Sequence, residues 1–297
     1  MRRLLVSGFG LLLVWAGASS QTSRVRELAP GVWMWQGDRD AREPANCGWI
    51  EFKDYVFVID ANFPWGARKI LPEIRRTTTK PLRFVFNTHY HGDHAYGTSL
   101  FVDAGATAVC SEDCAAESRT KGQRGWDANR ETGEFSLKPF RLEHPTVTFA
   151  ERMAFDDGVH RVELIKVGPG HSRGDAVAYL PREKILFTGD LCTNWKSGNN
   201  TADADADHPN WVSALRRMAE WDVRTVVPGH GSLGTVDTLR RQADYLDDMW
   251  RQVSAGKRAG RPVDQLVKEI DLSRHGNFAA DAARNETSIR SMYKKAI

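Results

Sequence analysis

The densest run of metal-type donors in the chain is Asn87-Thr88-His89-Tyr90-His91-Gly92-Asp93-His94, where three histidines and an aspartate fall within six residues. Imidazoles with a hard carboxylate form a borderline N/O donor set that suits zinc best, with iron or manganese as alternatives. His89 and His91 are two apart, so in an extended turn their side chains leave on the same side. Gly92 permits an unusual backbone turn, after which His94 falls near the start of a helix. Three later segments offer more of the same chemistry. His171 ends Val167-Gly168-Pro169-Gly170-His171, Asp190 ends Phe187-Thr188-Gly189-Asp190, and His230 sits in Val226-Val227-Pro228-Gly229-His230-Gly231. A histidine or aspartate in one glycine turn is unremarkable. Four strand ends each delivering such a donor point to a ligand site built from loops at one sheet edge.

The elements that must position these donors follow from hydrophobic spacing. Short β-type runs are expected at 32–35, 49–52 and 55–60. A helix over 67–77 carries Ile70, Leu71 and Ile74 on one face, and an apolar strand follows at 82–87. Strand, helix and strand in that order suggest a βαβ unit in a mixed or parallel sheet. Residues 111–145 read as helix plus loop. Strands resume at 147–149, 161–167, 176–180 and 184–188, then a helix at 210–221, a strand at 224–227, a longer helix through Val236, Leu246 and Val253, and a helical tail. The biased run Ala202-Asp203-Ala204-Asp205-Ala206-Asp207 reads as a solvated acidic loop. In each half of the chain a strand ends in a histidine-bearing turn, at His89 and again at His230.

The chain has 297 residues, 41 basic and 38 acidic, with 27% charged and 41% hydrophobic positions. These values exclude collagen-like, disordered or coiled-coil architectures and allow a sizeable core. Arg2 and Arg3 precede an apolar run ending in Ala16-Gly17-Ala18, the layout of a secretory signal peptide over residues 1–18. That run is shorter than the ~20 residues that span a bilayer, so no membrane anchor is expected after cleavage. Residues 19–297 are then a periplasmic or secreted mature domain. Its 39 basic against 38 acidic residues leave no electrostatic footprint for nucleic acid. Export permits a disulfide, and Cys110 and Cys114 are four apart, but spacing sets no connectivity, and each of Cys47, Cys110, Cys114 and Cys192 reads as a buried apolar thiol. Cys192, two residues past Asp190, is placed to approach the donors. Nothing in the sequence sets an oligomeric state.

The segments HYHGDH (His89 to His94), GPGH (to His171), FTGD (to Asp190) and PGHG (around His230), in this order, resemble the metallo-β-lactamase superfamily. The resemblance extends over about residues 28–239. It implies an αββα four-layer sandwich, two mixed β-sheets face to face with helices on both outer faces. It also implies that His89, His91 and His171 hold one metal ion, that Asp93, His94 and His230 hold a second, and that Asp190 bridges them. Asp60 would support the first cluster from behind. Two Zn2+ ions so held would activate a shared water for attack on a carbonyl, with Asp93 as the catalytic carboxylate that orients it. His171-Ser172 lacks the elbow of a serine hydrolase.

The implied substrate is a small cyclic amide or ester, with β-lactams leading. The segment 197–205 is similar to the loop after the metal strand of subclass B1 enzymes, where Asn199 or Asn200 would donate to a substrate carbonyl. Phe63 and Trp65 would form an apolar rim. Two departures stand against a B1 enzyme. Asp190 occupies the position of its metal-binding cysteine, and Thr193 that of its lysine, with Lys196 displaced. A lactonase or thioester hydrolase of the same fold is the alternative, as is an iron-dependent oxidoreductase, although no flavin domain is present.

Overall fold

A computed structural model describes residues 24–129, 135–196 and 198–297. The expected signal segment 1–18 lies outside them. Seven strands form the first sheet in chain order: β1 (Val25–Ala29), β2 (Val32–Trp35), β3 (Cys47–Glu51), β4 (Val56–Ile59), β5 (Leu82–Phe86), β6 (Thr107–Ser111) and β7 (Val147–Phe149). The pairs from β1 to β4 are antiparallel and those from β4 to β7 parallel. Helix α1 (Pro64–Thr77) makes the crossover between β4 and β5, as the βαβ pattern implied. Proline at its first position suits it, because that N–H has no partner within the helix.

Short helices α2 (Gly92–Ala95), α3 (Thr98–Asp103), α4 (Glu112–Glu117) and α5 (Gln123–Asn129) follow β5 and β6. The second sheet holds β8 (Arg152–Asp156), β9 (Arg161–Lys166), β10 (Ala176–Leu180), β11 (Ile185–Phe187) and β13 (Thr225–Val227), in the order β13-β11-β10-β9-β8. Its pairings are antiparallel except β11 with β13. Residues Thr193–Asn194 (β12) and His230–Gly231 (β14) form a small parallel ladder beside it. Helices α6 (His208–Met218), α7 (Val236–Arg258), α8 (Val263–Glu269) and α9 (Ala282–Lys295) complete the chain. Among the described residues no helix is long and apolar enough to cross a membrane.

Both sheets are mixed, and three cores separate the layers. Phe57, Ile59 and Phe86 of the first sheet meet Leu164, Ala178 and Phe187 of the second. Alternate residues Val56 and Val58 point the other way, against Ile70 and Ile74 of α1. On the far side Val177, Leu186 and Val226 pack under Trp211 and Leu215 of α6 and Leu246 of α7. Helices therefore cover both outer faces, giving the αββα sandwich. Strands covered on both sides read as continuous apolar runs, which is why Val56-Phe57-Val58-Ile59 is buried throughout.

Five strands were not expected from the sequence: β1, β6, β8 and the two-residue β12 and β14. β1 is an edge strand of exposed and half-buried residues, and β8 alternates exposed and half-buried residues, with Met153 and Phe155 turned to the inter-sheet core. The four cysteines are free and buried, so Cys110 and Cys114 form no disulfide in this structure.

Candidate metal centre

The site sits where parallel strands end together. β4 runs out into Asp60, β5 into the His89–His94 turn, β11 into Asp190 and β13 into His230. The loop from β9 to β10 brings His171 to the same edge. Ligand sites in α/β sheets gather at such strand ends because the loops there converge. Glycines make the approach possible. A Cβ on Gly229 would lie 2.1 Å from Asp190 Oδ1, and Gly189, at φ +50°, would drive one into Thr88 Oγ1 at 2.4 Å. Asn46 ties the β13 turn down by donating to the carbonyls of Pro228 and Gly231.

His89 Nε2 lies 3.1 Å from His91 Nδ1, which lies 2.9 Å from His171 Nε2. His94 Nε2 and His230 Nε2 are 3.4 Å apart. Asp93 Oδ2 is 3.3 Å from His230 Nε2. Asp190 stands between the groups, with Oδ1 3.2 Å from His94 Nε2 and Oδ2 3.6 Å from His171 Nε2. All seven donors implied by the sequence motifs are thus brought together, as the triplets His89/His91/His171 and Asp93/His94/His230 with Asp190 beside both.

The outer nitrogen of each ring decides what the inner one offers. His171 Nδ1 faces the carbonyl of Asn200 at 2.8 Å, and His230 Nδ1 that of Pro44 at 2.8 Å. His94 Nδ1 faces Asp60 Oδ2 at 2.8 Å, and His91 Nε2 faces Asp203 Oδ2 at 3.0 Å. His89 Nδ1 faces Thr88 Oγ1, whose own proton goes to Asp60. Every outer partner accepts, so every outer nitrogen carries hydrogen and the neutral ring presents a lone pair inward. Five lone pairs and two carboxylates then converge, and Asp190 Oδ1 is buried with no hydrogen-bond partner. Only cations relieve that arrangement. The residues present fit divalent metal ions, and the outer acceptors are the kind that orient metal-binding imidazoles.

Protons compete for the same positions. Burial would lower His94, but the carboxylates of Asp190, Asp60 and Asp93 together hold it well above an ordinary histidine. His230 is raised in the same way, chiefly by Asp190 against burial. Burial lowers His171 to about 4 and, with the neighbouring imidazoles, takes His89 well below the usual value. The His94/His230 side therefore holds protons that an incoming cation must displace, whereas His89 and His171 are already neutral. Zinc titration is expected to show the Asp93/His94/His230 half weakening by about tenfold per pH unit for each proton displaced as pH falls from 8 to 6. Calorimetry in two buffers of different ionisation enthalpy should record the released protons. Zinc binding with no pH dependence and no proton release would overturn this assignment.

The model of the "Metallo-beta-lactamase superfamily" matches residues 40–230, which contain all of these donors. The chain belongs to the metallo-beta-lactamase superfamily. It is 22% identical over 263 residues to a linear primary-alkylsulfatase of Pseudomonas sp., covering 76% of this chain and 50% of the relative. It is 23% identical over 181 residues to a type 2 metallo-beta-lactamase of Bacillus sp., covering 60% of this chain and 63% of that one. The chain thus spans about half to two-thirds of the length of these relatives. Among solved structures, a metallo-beta-lactamase from Pontibacter korlensis superposes with TM-score 0.63 at 25% identity, covering 75% of this chain and 98% of that one. The DIM-1 metallo-beta-lactamase gives 0.60 at 18% identity, covering 75% and 96%.

In this metallo-beta-lactamase fold the donors open into a cavity of about 650 Å³ lined by His91, Asp93, Asp190, Asn200 and His230. Trp195 stacks on His230 with ring centroids 4.4 Å apart and holds that imidazole flat. Phe63 and Trp65 stack on each other at 4.7 Å in an adjoining cavity of about 470 Å³, which shares Arg39, Pro44 and Gly92 with the first. They form an apolar trough beside the donors rather than a rim over them. Asn199 corrects an expectation. It is fully buried, its amide donates to the Asp190 carbonyl at 2.6 Å, and what remains bare is the acceptor Oδ1, so it is no donor for a substrate carbonyl. Asn200 is exposed and lines the cavity, its Oδ1 accepting from the Ala202 N–H at 3.2 Å. Cys192 lies in the core under α6 and α7, its thiol pushed up by burial, and is not among the clustered donors.

The acidic run 202–207 is the larger correction. Asp203 is nearly buried, accepts from Tyr90 Oη at 2.8 Å and holds His91, while Lys121 bonds Asp205. The signal that could have found it is Tyr90, a phenol inside the histidine motif with no metal role and hence in need of an acceptor.

Proposed function

We propose that the protein is an exported dinuclear zinc hydrolase that opens a small cyclic amide or ester, β-lactams being the leading class. The observation that carries this reading is the inward convergence of five imidazole lone pairs on two carboxylates, each tautomer set by an outer acceptor. His89, His91 and His171 would hold one ion, Asp93, His94 and His230 the other, and Asp190 both. Bound there, two divalent cations supply Lewis acidity toward water and toward the scissile group. The chain's own residues do the rest. Asp93 is the least buried of the donors, and its carboxylate faces the cavity where it can accept and orient a proton. The Phe63/Trp65 trough excludes water and takes an apolar substituent. Support for export is the layout of residues 1–18.

A sulfate ester is the second reading, favoured by the similarity to an alkylsulfatase over three-quarters of this chain. The deciding experiment uses zinc-loaded protein on nitrocefin, a lactone, a thioester and an alkyl sulfate, each with and without chelator, alongside metal analysis. Nitrocefin turnover that disappears with chelator, and falls roughly a thousandfold in Asp93→Ala and His230→Ala, is the expected result. Chelator-insensitive turnover, or wild-type rates in both variants, refutes it, and preference for the alkyl sulfate selects the second reading.

A further inference from the structure

We propose that Arg284 on α9, with the Ser288 hydroxyl one turn on, binds an oxyanion carried by the substrate, so that the enzyme selects anionic substrates. This rests on the reading of the cavity as hydrolytic. The family match ends at residue 230, yet α9 forms a wall of the donor cavity, contributing Arg284, Thr287 and Ser288. Their spacing of three and four places them on one helical face.

Two independent features of this wall call for an anion. Arg284 is half-buried in the first turn of α9, where the helix dipole opposes a positive charge, and its guanidinium makes no ion pair among the described residues. Ser288 is 1% exposed and its Oγ has no hydrogen-bond partner. The nearby carboxylates are committed elsewhere. Asp281 caps α9 by accepting from the Arg284 N–H at 3.0 Å, and Asp93 and Asp190 face the imidazoles.

The wall is fixed in place. Lys295 donates to the carbonyls of Asp203 and Ala206 at 2.8 and 2.7 Å, and Tyr245 Oη donates to Asn285 at 2.8 Å. An arginine and a hydroxyl offered from one face of a fixed helix match the two or three acceptor oxygens of a carboxylate or sulfate.

Two measurements on zinc-loaded protein test this. The first compares kcat/KM for a cephalosporin carboxylate with that for its methyl ester. The anion-to-ester ratio is expected to fall at least about tenfold in Arg284→Gln, less in Ser288→Ala, and to recover in part in Arg284→Lys. The second needs no turnover: calorimetric titration with phenylacetate, phenyl sulfate and neutral phenylacetamide. Wild type should prefer the anions and Arg284→Gln should lose that preference. Loss for phenylacetate alone marks a carboxylate site, and loss for phenyl sulfate alone a sulfate site. An unchanged ratio, or equal affinity of wild type and Arg284→Gln for both anions, overturns the proposal. Absence of all turnover would instead count against the proposed hydrolysis, with the titration still readable.

Discussion

Asp190→Ala is expected to lower turnover by roughly a thousandfold or more, about 4 kcal/mol of barrier, and to reduce the two zinc ions of the proposed centre to one or none. Asp190 is the one carboxylate close to both donor groups. Its Oδ1 lies 3.1 Å from His230 Nε2 and 3.2 Å from His94 Nε2, and its Oδ2 3.6 Å from His171 Nε2. Burial alone would raise its pKa, but His230 and His94 outweigh burial and hold it well below the ordinary carboxylate range, so it is an anion in place for cations. Without it, five imidazole lone pairs face one another around Asp93 alone. The fold should survive, because the Asp190 carbonyl still accepts from Asn199 and Gly229 leaves room behind the shortened side chain. Asp190→Asn separates charge from shape, since it fills the same space and should lose nearly as much. Metal analysis, nitrocefin kinetics and circular dichroism read the three effects. Two zinc ions per chain and activity within tenfold of wild type would remove Asp190 from the bridging position.

Much of this site was legible because its parts are local. The His89–His94 motif puts four donors in one turn, Asp190 and His230 follow short apolar strands, and His171 follows the Gly-Pro-Gly turn after β9. Parallel pairing of β4 with β5 and of β11 with β13 then brings their ends to one edge, which the βαβ pattern anticipates. What the sequence hid depends on distant partners. Asp203 lies in an Ala-Asp repeat whose local composition signals solvent, and distant partners make its burial favourable, the Tyr90 hydroxyl, the His91 imidazole and the Lys121 ammonium. Asn199 is polar and next to the donors, yet its amide is used on the backbone that carries Asp190. α9 reads as a peripheral amphipathic tail, and that its first turn reaches the donor cavity is set by packing on α7, not by its own pattern. β1 carries Val25, Leu28 and Ala29 without a period-two alternation, as an exposed edge strand allows, while β8 carried a period-two signal in Met153 and Phe155 that its charged residues obscured.

Asp60 carries no donor atom into the site, yet its removal should disturb both halves. It ends β4 with φ +57°, a conformation that costs energy for any residue but glycine, and it is 3% exposed. It accepts from the Thr88 N–H at 2.8 Å, from Thr88 Oγ1 at 3.0 Å and from His94 Nδ1 at 2.8 Å. In Asp60→Ala these buried donors lose their acceptor at a cost of about 1–3 kcal/mol each, offset in part by relaxation, so metal-free protein should melt several degrees lower. The effect on metal follows from the protons. His94 no longer has an acceptor for Nδ1–H, so the tautomer with hydrogen on Nε2, pointing at Asp190, becomes competitive. Thr88 Oγ1, freed from Asp60, can turn its proton to His89 Nδ1, which moves the His89 hydrogen inward as well. Zinc affinity should therefore fall on both sides, by roughly 10–100-fold. Asp60→Asn sharpens the test. An amide restores shape and one acceptor, but its NH2 group faces either the Thr88 N–H or the hydroxyl and imidazole protons, and meets donor with donor in both orientations. Calorimetric melting of chelated protein and competitive zinc titration measure the two effects. If Asp60→Asn binds zinc as tightly as wild type, charge and tautomer at His94 and His89 are not set by Asp60, and the lone-pair account of the centre loses its foundation.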